Sequence, residues 1–172
     1  DGVMWFGNSH SVLAYDGAAW RRIEVPDTSW VRALAIDARG IVYAGGTDQL
    51  GWIAPGADGL PRFVSLLDRL PPAQRSMGVI WSMAATGDAV WFASESLVLR
   101  WRDGAFRAWN FANQPRQYLH RVGSELYLHR QGVGLYHFSQ DDFQLVTDRP
   151  EVAGSPFCLI EPHPEGGLLL GL

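Results

Sequence analysis

The stretch GVMWFGNSHSVLAYDGAAW, residues 2–20, decides the fold. It has a Gly, an apolar run with an aromatic, a small polar segment, a second apolar run and an aromatic beside Asp-Gly. The pattern recurs along the chain: GVMWFGN at 2–8, GIVYAGG at 40–46, GDAVWFAS at 87–94, GSELYLHR at 123–130 and GGLLLGL at 166–172. Aligning Trp5, Tyr43, Trp91, Tyr127 and Leu169 gives spacings of 38, 48, 36 and 42 residues, a mean of 41. The second half of the unit repeats as well, in VLAYDGAAWRRI, LGWIAPGADGLPRFVSL, LVLRWRDGAFRAW and GLYHFSQDDFQLV. A further apolar run precedes each new unit: VRALAID, GVIWSMAA, YLHRV and FCLIEP. Each full unit therefore holds four strand-sized runs separated by turn signals.

The runs are four to seven residues long and rich in Val, Leu, Ile, Trp, Tyr and Phe, and several alternate apolar with polar or small residues. Gly supplies positive φ at tight turns, and Asp-Gly reads as a two-residue hairpin. Asp141-Asp142 takes that place in the fourth copy. One stretch differs, FVSLLDRLPPAQRSMG, where a short helical turn is expected at Ser65–Leu70, stopped by Pro71 and Pro72. Four strands in about 41 residues is the period of a β-propeller blade. A β-sandwich is the alternative, and the recurrence of one aromatic pattern favours the propeller.

The expected fold is thus all-β, a β-propeller of about four four-stranded blades, with units near 1–29, 30–77, 78–115, 116–155 and an incomplete 156–172. Three strands precede Trp30 and two close the chain, about seventeen in all. The chain is expected to begin and end within a blade, as a partial propeller from a larger protein, and to form an open arc or self-associate. Trp5, Trp20, Trp91 and Trp101 are expected to wedge between sheets as core.

Bulk composition agrees with a folded domain. Of 172 residues, 47% are hydrophobic and 19% charged, with 8 Trp, 19 Gly and 10 Pro. All 14 basic residues are Arg, scattered along a chain of net charge −4, so a phosphate-binding face for nucleic acid is not expected. One Cys allows no intrachain disulfide and leaves the redox compartment open. No apolar run reaches the length of a membrane span.

Several motifs resemble a known family. GVMWFGNSHSVLAYDGAAW is similar to the two-component regulator propeller repeat, G-x-x-W-x-G-T…G-[LI]-x-x-[YF]-D-G-x-x-[WF]. GIVYAGGTDQLGWIAPGADGLPRFVSLLDRLP and GVIWSMAATGDAVWFASESLVLRW resemble consecutive blades of the same sensors. The resemblance weakens after about residue 123, where His129 and Arg130 stand in place of Gly and a small residue. It implies a periplasmic sensor region, with a cytoplasmic location as the alternative. In that family the region precedes a triple-tyrosine domain, a membrane helix and an output module such as a histidine kinase, a diguanylate cyclase or a DNA-binding regulator. The implied partners are a small nutrient such as a glycan fragment and a signalling domain of the same polypeptide.

Loops after the first and third strands of each unit are expected to be tight and to share one face. Loops after the second and fourth are longer and polar, and occupy the other. Recognition is expected on that loop-rich face, where equivalent positions carry His10, Asp48, Glu95 and Arg130 as candidate ligand-binding residues. No spacing matches a zinc or EF-hand site, so no metal or cofactor is expected. His120, His129 and His137 fall on strands and read as structural. G-x-S-x-G, H-E-x-x-H and a phosphate loop are all missing, so a non-catalytic sensor is the leading reading. A protein-interaction scaffold is the alternative. A propeller lyase or hydrolase, which would draw its residues from several blades, comes third.

Overall fold

A computed structural model describes residues 2–27, 30–111, 116–156 and 158–172. Parts of two expected rim loops, 28–29 and 112–115, and Phe157 in the last apolar run lie outside them. Among the described residues, seventeen strands form five antiparallel sheets. The first sheet is β1 (Met4–Asn8), β2 (Ser11–Tyr15) and β3 (Trp20–Glu24). The second is β4 (Val31–Ile36), β5 (Val42–Gly46), β6 (Leu50–Pro55) and β7 (Pro61–Ser65). The third is β8 (Ser82–Thr86), β9 (Ala89–Ala93), β10 (Leu97–Arg102) and β11 (Ala105–Asn110). The fourth is β12 (Gln117–Val122), β13 (Glu125–Arg130), β14 (Gly134–Ser139) and β15 (Asp142–Thr147). Strands β16 (Leu159–Pro162) and β17 (Leu168–Gly171) make a final pair.

The sheets stack face to face in chain order. Strand β4 lies beside β8, β8 beside β12, and β12 beside β16, so the first strands of successive sheets form one inner row. Strand β1 packs on β4, and β3 on β7. Consequently the core is divided into four layers, one between each pair of sheets. Strand β9 shows how the sequence serves two layers at once. Val90 and Phe92 face the second sheet, whereas Ala89, Trp91 and Ala93 face the fourth. Every residue of β9 is buried. Burial on both faces replaces the apolar–polar alternation of a one-sided strand with a continuous apolar run.

The aromatics fill these layers unevenly. Trp91 is 2% exposed. Its ring lies 5.4 Å from Trp109 and 4.6 Å from Phe138 across to the fourth sheet. Trp101 is buried against Phe106 and Trp52. Trp5 is half-buried. Trp20 departs from expectation: it is 59% exposed on the outermost strand β3. There, among the described residues, its ring contacts are Tyr15 and Phe6 of its own sheet.

The turns follow the hairpin chemistry with two shifts. Asp103 and Gly104 both have positive φ and close a two-residue hairpin. In the fourth sheet the central pair is Gln140-Asp141, one residue earlier than expected, because Ser139 pairs with Asp142. Asp16-Gly17 opens a four-residue loop instead of a two-residue one, since Tyr15 pairs with Trp20. The Asp16 carboxylate accepts the Ala19 and Ala18 amides, which hold its pKa below the usual value.

Two segments between sheets carry helical turns. The expected turn at Ser65–Leu70 is a 3-10 turn at Leu67–Arg69, and a second one follows at Pro72–Gln74. Pro72 begins this second turn instead of ending structure, because a first-turn position needs no amide donor. A four-residue helix, α1 (Pro150–Ala153), lies where a loop was expected, again with Pro at its start. Its Val152 and Ala153 are buried.

That helix explains His129 and Arg130. In the second sheet the position equivalent to His129 is Gly45, where a Cβ would come 2.8 Å from Ile80 Cγ2. In the fourth sheet α1 replaces that tight contact, and His129 Nε2–H donates to the Val152 carbonyl at 2.9 Å. Trp91→Ala is expected to cost about 3–5 kcal/mol of stability, as a large buried aromatic does, while Trp20→Ala stays near 0.5 kcal/mol. Urea unfolding of both variants checks this contrast.

Candidate functional site

Backbone ties place the connections that follow second strands beside those that follow fourth strands. Ser9 bridges to Trp30 and Thr47 to Val79. The Val25 amide donates to the His10 carbonyl at 2.9 Å, Gln131 to Arg116 at 3.0 Å, and Gly132 to Ala153 at 2.6 Å. The longer connections therefore share one face, at the leading ends of the inner strands.

His10 and Asp48 occupy equivalent turns, each with left-handed backbone, at φ 56° and 50°. His10 is exposed and hydrogen-bonds Ser9 Oγ through Nδ1 at 2.7 Å. Asp48 clasps the next connection: its Oδ1 accepts the Gly78 amide at 2.7 Å, and its own amide donates to the Gly78 carbonyl at 3.0 Å. Glu95 reaches the same glycine from the third sheet, and a Cβ on Gly78 would collide with Glu95 Oε2. Asp48 and Glu95 thus meet around Gly78, whose φ of +78° favours glycine.

Arg130 does not join them. It is 4% exposed, ends β13, and stacks on Phe111 at 4.2 Å and Tyr136 at 5.9 Å. In the fourth sheet the left-handed turn position belongs to Gly132 instead. Among the described residues, no three His, Cys, Asp or Glu side chains gather to hold a metal ion.

Sequence reading missed a different cluster. Arg32, Trp81 and Arg116 stand at the leading ends of three successive inner strands, β4, β8 and β12. Both guanidinium carbons lie over the Trp81 ring, at 5.3 Å for Arg32 and 4.8 Å for Arg116. Both arginines are exposed. Among the described residues neither has a carboxylate within 4.0 Å.

The opposite, tight-turn face holds a cleft of about 380 Å³ between the second and third sheets. It is lined by Trp52, Trp101, Asp37, Arg39, Asp88 and Arg102. Its charges are already matched, Arg39 with Asp37 and Arg102 with Asp88, both at 2.8 Å. Burial raises the Asp37 pKa, but the Ile41 amide and Arg39 outweigh it and leave the carboxyl below its usual value.

His120, His129 and His137 lie on β12, β13 and β14. His137 pairs with Glu125 at 2.6 Å and stacks on Tyr127. His120 is pushed down to about 4, first by burial and then by His129 nearby.

Solved structures share this arrangement of sheets. Virginiamycin B lyase from Staphylococcus aureus matches 94% of the chain with a TM-score of 0.68 at 14% identity. The WD40 beta propeller domain of Doa1 matches 90% with a TM-score of 0.61 at 11% identity. The fold is a β-propeller. The extracellular domain of the putative one component system BT4673 from B. thetaiotaomicron matches 98% of the chain, with a TM-score of 0.73 at 15% identity. The chain spans 56% of the lyase's length, 52% of the Doa1 domain's and 25% of the BT4673 domain's. No family model and no curated protein matches the sequence. No helix among the described residues is long and apolar enough to cross a membrane.

Removing the Asp48 clasp leaves the Gly78 amide without its acceptor, so Asp48→Ala is expected to cost about 1–3 kcal/mol, read by urea unfolding. For His120, the folded pKa of about 4 lies below the ordinary 6.5, so the unfolded chain binds more protons between those values. Its contribution is complete above pH 6.5 and is lost as pH falls toward about 4. Unfolding titrations should show a shallower acid loss in His120→Gln than in the parent.

Proposed function

We propose that this chain is a non-catalytic, ligand-binding input segment of a larger signalling protein. Ligand is received on the loop-rich face, and the change passes to a signalling domain of the same polypeptide. The observation that carries this reading is the contrast between the two faces. Polar connections from neighbouring sheets are tied together on one rigid face, where two arginines have no carboxylate partner among the described residues. On the other face the cleft's charges are already paired. Rigid scaffolds presenting varied polar loops are common recognition surfaces.

Two likenesses support the signalling part: the propeller repeat motifs, and the fold shared with the extracellular domain of the BT4673 system. On this reading the five sheets are successive blade units of a partial ring, and the segment works on the periplasmic side. The motif resemblance points toward a small nutrient such as a glycan fragment as ligand.

A scaffold for protein–protein contact is the second reading, favoured by the exposed Met4, Phe6 and Trp20 on the first sheet. A thermal-shift screen of small molecules against the chain separates the two. We expect saturable stabilisation by at least one compound, reduced in a Glu95→Gln, His10→Ala variant and unchanged in Asp88→Asn on the opposite face. Hits that depend only on Asp88, or no hits together with stoichiometric capture of a protein partner, overturn the reading. Chemical turnover of a hit overturns its non-catalytic part.

A further inference from the structure

The inner strands carry a charge pattern opposite to that of the chain. Although the protein is acidic overall, at −4, residues 31–36, 79–86 and 116–122 contain Arg32, Arg116 and Arg121 and no Asp or Glu. Six other arginines, at 39, 62, 75, 100, 102 and 107, are each held by an aspartate. Arg32 and Arg116, like Arg21, Arg22, Arg69, Arg121 and Arg149, have no carboxylate within 4.0 Å among the described residues, and these two share one indole.

Two like charges over one ring gain cation–π attraction, about 0.5–1 kcal/mol each at exposed sites. They retain mutual repulsion and nearly all their N–H donors. Trp81 supplies the ring, while its Nε1–H is shut off from solvent. The cluster is rich in donors and positive charge, short of acceptors, and backed by a flat apolar ring.

The geometry points to Arg32, Trp81 and Arg116 as a binding site for a small organic oxyanion, its carboxylate, sulfate or phosphate group paired with the exposed guanidiniums and its apolar body lying near the indole. A guanidinium presents paired N–H groups that match two oxygens of such a group. The ligand supplies the acceptors and negative charge that the fold leaves out. This site rests on the reading of the loop-rich face as the ligand-receiving face, and it specifies the chemistry that face accepts.

Titration calorimetry at low, constant ionic strength, where screening is weakest, tests the site with four probes. Benzoate carries a carboxylate on a ring, phenyl phosphate carries a phosphate, sodium sulfate is the bare ion, and benzyl alcohol is the uncharged ring. We expect saturable binding of benzoate or phenyl phosphate, and the stronger of the two identifies the preferred oxyanion. Sulfate should bind more weakly and benzyl alcohol not at all.

Arg32→Gln and Arg116→Gln should each weaken the preferred probe by about tenfold or more, as loss of a charge-assisted hydrogen bond does. Arg32→Lys should retain an intermediate affinity, and Arg21→Gln, on an exposed outer strand, should have no effect. Unchanged melting of each variant shows that it folds. Equal binding of anions by the parent and the Arg32 and Arg116 variants overturns the site, as does no binding by any anion. If anions fail while the Glu95-dependent hits of the wider screen persist, only the oxyanion site falls. If those hits are missing too, the loop-rich face itself is not the receiving surface.

Discussion

The stacking of the sheets depends on side chains wedged between their faces, aromatic ones above all between the third and fourth sheets. Trp91 is the clearest case. It projects from β9 into a layer with Trp109, Phe138 and Phe143, where edge-on and tilted rings sit 4.6 to 6.0 Å apart. Such pairs contribute about 0.5–1.5 kcal/mol beyond the area they bury. Polar groups lock the same layer from its edge. Arg100 lies 5.6 Å over both Trp91 and Trp109 and reaches Asp141 of the next sheet at 2.8 Å, and Arg107 pairs with the same aspartate. Asp141 can do this because it sits at the tip of the β14–β15 turn, in left-handed backbone. One residue thus closes a hairpin and joins two sheets.

Much of the architecture was legible because each repeat carries the same demands. A strand with neighbours on both faces needs a continuous apolar run, and a hairpin needs left-handed turn residues. Both needs recur every unit and leave the aligned Trp5, Tyr43, Trp91 and Tyr127. What misled was local. Asp16-Gly17 resembles Asp103-Gly104 in sequence, yet Asp16 caps a longer loop with its carboxylate. Trp20 matches the repeat, but position in a motif does not create a neighbour, and on β3 its ring contacts among the described residues are with its own sheet. Helix α1 left no periodic signal in four residues. It was detectable only through the bulk it accommodates, His129 in place of a glycine.

The site was legible in part. His10, Asp48 and Glu95 lie on the loop-rich face because strand alternation alone fixes which connections go there. Arg130 was misassigned because it is the last residue of β13, matching Asn8 of β1 and Gly46 of β5, while the turn position of His10 and Asp48 falls on Gly132; its guanidinium stacks on Phe111 and Tyr136. Asp48 shows that an ionisable group on a rim need not await a ligand, since its carboxylate already holds the Gly78 amide.

Arg32, Trp81 and Arg116 were missed for a reason specific to repeat folds. They are separated by 49 and 35 residues, nearly the 48 and 36 that separate Tyr43, Trp91 and Tyr127. A stacked-sheet fold converts one repeat length into one step between neighbouring inner strands, so a cluster can draw a single residue from each unit. No window of sequence then contains two of its members, and composition averages their charge away against the many arginine–aspartate pairs elsewhere. The signal lies in comparing neighbouring positions across units: strand pairing matches Arg32, Trp81 and Gln117, and Arg116 stands one residue before Gln117. A position at the leading end of an inner strand, with exposed side chains such as Arg32 and Arg116, can differ between units at little cost to the fold, which makes it a natural place for binding chemistry to accumulate.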